Sequence, residues 1–247
     1  MLIVANGAVK NGSTWLFYIL RELTDFPTPP AEYLESSWLN PSLRADKLAD
    51  FLTVLKPDDN YLATNHARER AQRDLLLAHP SVRVFDITLD IRDVVVSAYY
   101  HRRRTEGYTS NFATYYWSLG RALALNVVRY HALWAAPRSR QVFVASYERL
   151  QYDFENHVRE IAWFVGAKAT PERIAEIRAA THIDSLRERY GEAEAEDKLF
   201  RAGEIDDWQD HFDTAMLADL DRQLRRARRE QAPWYRAARR VKRLVKP

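Results

Sequence analysis

The stretch "LIVANGAVKNGSTW", residues 2–15, opens the chain with an apolar run, a pair of glycines and the first residues of an amphipathic segment. "MLIVAN" reads as a short buried strand closed by Gly7, and "STWLFYILREL" repeats its apolar residues at helical spacing, with Ser13 or Thr14 available to cap the first turn. A glycine loop between a strand and a helix presents consecutive backbone N–H groups at a helix N-terminus, which is an anion site by geometry and by dipole. The loop nearly spells the phosphate-loop pattern G-x-x-x-x-G-K-[ST]. Gly7 and Gly12 have the right spacing and Thr14 is in place, but Ser13 follows the second glycine and the lysine has moved back to Lys10. An ordinary strand–helix turn with a surface lysine is the plainer reading. Two glycines at this spacing, with "ST" and an early Trp15, favour a phosphate-bearing ligand whose charge is met inside the loop.

Working outward, strand candidates alternate with helix candidates. "RADKLADFLTVLK" is an amphipathic helix, "YLATNH" a short strand with a polar end, "ARERAQRDLLLAHP" a helix and "VRVFDITL" a strand. "RDVVVSAYYHRR" reads as a helix opened by Asp93, and a long helical stretch runs through "FATYYWSLGRALALNVVRYHALWAA". "RQVFVASYERL" reads as a strand, followed by the helices "FENHVREIAWFVG" and "PERIAEIRAAT", a polar irregular stretch, and a last helix from near Thr214. This order predicts an α/β fold: a single domain with a mostly parallel central sheet flanked by helices, in a P-loop-like nucleotide-binding architecture. Ligands of such sheets sit beyond the carboxyl ends of the strands. That rim gathers Lys10 to Thr14, Asn65–His66 and Arg92–Asp93.

The chain has 247 residues, no cysteine and 47% hydrophobic content. Thiolate chemistry, a disulfide framework and a cysteine metal site are excluded. The first apolar run is short and lacks a basic flank, and no segment approaches a membrane span, so a cytoplasmic soluble protein is expected. The net charge of +3 is uneven: from Arg222 onward there are eleven Lys and Arg against Glu230 alone, which leaves the rest near −7. The expected division is an α/β domain over residues 1–221 and a basic C-terminal helix or tail over 222–247. The tail could be a fraying solvated helix end or a peripheral contact with an anionic membrane surface. It lacks the aromatic–basic interleaving of a nucleic-acid binder, so no nucleic-acid partner is expected.

His66 follows Thr64 and Asn65 at a strand end, where an imidazole can take a proton near neutral pH. A lone histidine is more often structural; its place on the same rim as Lys10 favours catalysis. Arg92 and Ser97 can grip a phosphate through a forked guanidinium and a hydroxyl. In "FRAGEIDDWQDHF", Arg201 and Gly203 could close over a second anionic group, with Trp208 and Phe212 as anchors.

Together these segments resemble the 3′-phosphoadenosine 5′-phosphosulfate (PAPS)-dependent sulfotransferases. The family's P-K-[ST]-G-[TS]-T-W loop is matched by "VKNGSTW", its R-x-P-R-D-x-x-x-S segment by "LDIRDVVVS", and its R-K-G-x-x-G-D-W segment by "RAGEIDDW", all in order. The resemblance implies sulfuryl transfer from PAPS as co-substrate, with no metal. Carried over, Lys10 stabilises the leaving phosphate, Asn11, Gly12, Ser13 and Thr14 wrap the 5′-phosphate, and Trp15 lies near the adenine. Arg92 and Ser97 fall where the family holds the 3′-phosphate, Tyr147 and Thr181 lie on the adenine side, and Arg201 and Gly203 complete the clamp. His66 aligns with the catalytic base. The chain departs from the family at Leu89, in place of the first arginine of the second motif, at Ala202, in place of the third motif's lysine, and at Thr64 and Val9. The expected acceptor is a hydroxyl or amine of a small molecule, glycan or lipid-linked compound, in a pocket expected to be lined by "PTPPAEYLESSW" and "HRRRTEGYTSNFATYYW". Two other readings stand beside this one: a domain that binds a nucleotide or glycan without catalysis, and a magnesium-dependent P-loop kinase.

Overall fold

A computed structural model describes residues 1–35, 40–135, 139–189 and 203–231. In chain order its regular elements are β1 (Leu2–Gly7), α1 (Ser13–Thr24), β2 (Leu34–Glu35), β3 (Ser42–Leu43), α2 (Leu48–Val54), β4 (Tyr61–Asn65), α3 (Arg70–Ala78) and β5 (Val82–Thr88). There follow α4 (Ile91–Glu106), α5 (Phe112–Tyr115), a π-helical turn (Tyr116–Gly120), α6 (Arg121–Ala135), β6 (Val142–Ser146) and α7 (Tyr147–Tyr152). The chain continues with α8 (Phe154–Val165), α9 (Pro171–Thr181), α10 (Ile183–Arg189) and α11 (Thr214–Gln231). Short 3₁₀ turns precede β2 and α2 and lie at Asp207–Asp210. No helix among the described residues is long and apolar enough to cross a membrane.

Contacts group the chain into two units, Met1–Asp90 with Leu133–Ile205, and Ile91–Ala132 with residues 206–247. The first unit holds a sheet ordered β2-β3-β4-β1-β5-β6, parallel except for the β2–β3 pair. β1 lies between β4 and β5, and every one of its residues is buried. A strand covered on both faces needs the unbroken apolar run that "LIVA" supplies. The register puts Asn6 beside Asn65 and Gly7 beside Ile87, while Thr88 pairs with Ser146. The carboxyl ends of these strands, and the loops that leave them, therefore line one edge.

α1 lays Leu16, Phe17, Ile19 and Leu20 into the core formed with Ile3, Leu62, Phe85, Val158 and Ile161. Its stop is local. Asp25 takes a left-handed conformation at φ 54° and donates its amide to the Arg21 carbonyl, and Pro27 follows. Across the sheet edge, Trp134 donates its indole N–H to the Ala67 carbonyl (3.1 Å), and Arg73 donates to the Leu133 carbonyl (3.0 Å). The first bond holds the backbone just after His66, and the second ties α3 to the end of α6.

The second unit packs α4, α5, the π turn and α11 around Tyr99, Phe112, Tyr115, Tyr116, Phe212 and Met216. Tyr116 donates to Asp219 (3.0 Å), and Arg121 reaches the same buried carboxylate at 3.0 Å. The long helix predicted over 112–136 is thus present as far as Ala135 but interrupted, since five residues run as π-helix before α6. Two further expectations are corrected. The strand read through "RQVFVASYERL" stops at Ser146, whose hydroxyl accepts the Arg149 amide (3.2 Å) and caps α7. The cap of α1 is Gly12 with no side-chain bond, and Ser13 is already inside the helix.

Candidate active site

The loop between β1 and α1 turns tightly. The Asn11 amide donates to the Ala8 carbonyl (3.2 Å), and the buried Asn11 side chain donates to Ile87 at the end of β5 (3.4 Å). Between them Lys10 sits at φ 69°, a left-handed conformation that a residue with a side chain adopts at a cost. Gly12 follows at φ 91°. A Cβ there would lie 2.4 Å from Cδ2 of Tyr147, so the aromatic ring presses directly against the loop. The first three residues of α1, Ser13, Thr14 and Trp15, direct N–H groups out of the helix end. That first turn carries no acidic side chain, leaving the positive end of the dipole uncancelled. Asn40 donates to Thr14 Oγ1 (3.4 Å).

His66 is half-buried just beyond β4, with Nδ1 2.8 Å from the Gly7 carbonyl oxygen. A carbonyl only accepts, so Nδ1 carries the proton and the neutral ring keeps its lone pair on Nε2. The residue that ends β1 and starts the loop thus sets the tautomer of the imidazole. Thr64 turns its hydroxyl away, donating to the Pro41 carbonyl (2.9 Å).

Beyond β6, the capped helix α7 presents Tyr147 and Gln151 to a cavity of about 410 Å³ whose wall also includes Trp15, Phe154, Thr181 and Gly203. The Trp15 ring meets Tyr147 edge-on (5.0 Å between centroids) and lies roughly parallel to Phe154 at 6.3 Å. The Trp15 indole N–H is buried and has no partner among the described residues. Thr181 spends its hydroxyl proton on the Ile177 carbonyl (2.7 Å), and Tyr147 spends its own on Gly203 (3.0 Å). Trp15, Tyr147, Thr181 and Gly203, four of the residues singled out in the sequence, thus share one wall. Arg178 reaches the same cavity with its guanidinium 5.6 Å from the Phe154 ring centroid.

The second unit holds Arg92 and Ser97 on α4. The Arg92 guanidinium carbon stands 3.5 Å from the centroid of the Trp208 ring. Asp93 does not cap α4, which begins two residues earlier at Ile91. Its buried carboxylate instead accepts the amides of Asp206 and Trp208, each at 3.0 Å. The sequence missed this role because the partners lie more than a hundred residues away. We expect Asp93→Ala to lower the unfolding free energy by about 2–4 kcal/mol, since two hydrogen bonds to a charged acceptor are lost. Urea unfolding followed by Trp fluorescence measures this, and an unchanged midpoint would refute it. Arg201 and Ala202 lie outside the described residues, as does the segment after Gln231 with most of the basic tail; Leu89 is half-buried past the end of β5.

A family model for the sulfotransferase domain matches residues 3–232. The chain belongs to that family and is a sulfotransferase. Solved structures share the fold. The mouse sulfotransferase SULT7A1 complexed with PAP (adenosine 3′,5′-bisphosphate) aligns with a TM-score of 0.71 at 15% identity, over 99% of this chain and 88% of that one. Retinol dehydratase in complex with androsterone and inactive cofactor PAP gives a TM-score of 0.64 at 17% identity, over 92% and 80% of the two chains. The same enzyme with retinol and PAP gives 0.65 at 18% identity over the same shares. No curated protein sequence matches the chain.

Proposed function

We propose that the enzyme transfers a sulfuryl group from PAPS to a hydroxyl or amine of a small-molecule or carbohydrate acceptor. The observation that carries this reading is the bond from His66 Nδ1 to the Gly7 carbonyl, because it holds a base with a free Nε2 lone pair at the mouth of an anion-binding loop. The fit to a nucleotide rests on two further features. Tyr147 packs tightly against Gly12 at the end of the loop, and the ring of Trp15 lines a cavity of about 410 Å³ beside it, roomy enough for a nucleoside. PAPS, when bound, supplies the sulfuryl group. Lys10 and the amides of Ser13, Thr14 and Trp15 offset charge gathering on the leaving phosphate, as preorganised donors do in phosphoryl transfer. His66 Nε2 takes the proton of the acceptor. Trp15, Tyr147 and Thr181 hold the adenine side, and Ser97, Arg92, Arg201 and Gly203 hold the 3′-phosphate. PAP in each aligned neighbour supports this assignment of the ligand. The androsterone and retinol held by retinol dehydratase support a small apolar alcohol as the first acceptor class to try.

Calorimetric titration with PAP, beside ATP with magnesium, tests the reading. PAP should bind and Lys10→Ala should weaken it by about ten- to a hundredfold, the loss of one charge-assisted bond. Binding of magnesium ATP in preference would return the kinase reading, and binding of neither would make the domain non-catalytic.

A further inference from the structure

We infer that Gln151 is a positioning residue for the 3′-phosphate side of the nucleotide site, acting through Gly203; the inference rests on the PAPS reading above. Gly203 takes a left-handed conformation at φ 69°. Its carbonyl oxygen accepts two protein donors, Gln151 Nε2 at 2.6 Å and Tyr147 Oη at 3.0 Å, and these two donors are themselves 3.5 Å apart. A peptide oxygen held from two directions fixes the plane of the Gly203–Glu204 peptide, and with it the place of the Gly203 backbone. Gly203 is the residue assigned to the 3′-phosphate.

The arrangement needs Gln151 where it is. It sits one turn after Tyr147 on α7, so both side chains leave the same helix face and reach the same oxygen. The Ser146 cap fixes where that helix starts, and hence which residues share the face. At this position only a donor serves, because the group opposite is a carbonyl. The departures at Leu89 and Ala202 give the residue added weight, for they remove two cations from the family's 3′ clamp. A site with fewer charges depends more on the alignment of its remaining amide donors.

The test separates the 3′-phosphate from the rest of the nucleotide. Dissociation constants for PAP and for adenosine 5′-monophosphate are measured by calorimetry, with competition against PAP where binding is weak, for the wild type, Gln151→Met and Gln151→Leu. Met keeps the length and removes the donor without adding charge; Leu removes both polar atoms, and a variant that failed to fold would be replaced by the other. We expect each to weaken PAP by about five- to tenfold, the range of one lost hydrogen bond, with the monophosphate changed by less than about twofold. A structural defect of the cavity would weaken both nucleotides together and leave their ratio fixed; that result overturns the inference, as does a PAP affinity equal to wild type. Failure of the wild-type protein to bind PAP at all would instead remove the PAPS reading and this inference with it, so the two failures are distinct.

Discussion

His66→Ala should reduce turnover by about a hundredfold to ten-thousandfold, the usual contribution of a positioned general base, while PAP binding stays within about twofold of wild type. On the proposed reading the two readouts part, because that reading gives the imidazole to the acceptor and the loop and the cavity lined by Trp15 and Tyr147 to the nucleotide. His66→Asn sharpens the result. Its amide can still donate to the Gly7 carbonyl, as Nδ1 does at 2.8 Å, but it offers no basic nitrogen at the position of Nε2. Both variants should therefore lose turnover equally. A His66→Asn enzyme with wild-type turnover would sink the assignment, for it would leave His66 only the hydrogen bond to Gly7. The assay is single-turnover transfer from PAPS to a generic acceptor such as a phenol, followed by PAP release.

Gly12→Ala should be the most damaging single change to nucleotide binding. The residue sits at φ 91°, where a methyl group strains the backbone, and that methyl would fall 2.4 Å from the Tyr147 ring. The ring cannot simply withdraw, being edge-on against Trp15 and bonded through its hydroxyl to Gly203. We expect a loss of about 2–4 kcal/mol in stability and a fall of about a hundredfold or more in PAP affinity, because strain and overpacking add. Thermal unfolding with and without PAP measures both. The clash also predicts non-additivity: Tyr147→Ala should cost less in a Gly12→Ala background than alone, since it removes the obstacle. Additive effects would mean that ring and loop are independent.

How much of this was legible before any fold was known depended on sequence distance. The β1–loop–α1 unit was legible because every signal lay within fifteen residues: an apolar run, two glycines and an amphipathic start. The placing of His66 beside the loop followed from β4 being a short polar-ended strand, and the parallel pairing of β1 with β4 brings Asn65 beside Asn6 and His66 to the Gly7 carbonyl. α7 was hidden because "VFVASY" has the β-branched and aromatic content of a strand, and that content masked the capping serine inside it. With the helix start missed, Gln151 had no reason to be paired with Tyr147. The roles of Asp93 and of the Gly203 carbonyl were illegible for a different cause. Each is a hydrogen bond closing a loop of fifty or more residues, and nothing local marks such a partner. β2 and β3, at two residues each, were too short to carry a periodic signal.

Tyr147 touches the two ends of the proposed nucleotide site at once, its ring carbons against Gly12 and its hydroxyl on Gly203. One flat, stiff side chain is therefore the gauge block between the loop assigned to the 5′-phosphate and the segment assigned to the 3′-phosphate. Its length, which no rotamer can alter, sets the spacing between Gly12 and Gly203. On the proposed assignment, a nucleotide with its second phosphate one ribose carbon over is expected to meet one jaw and miss the other.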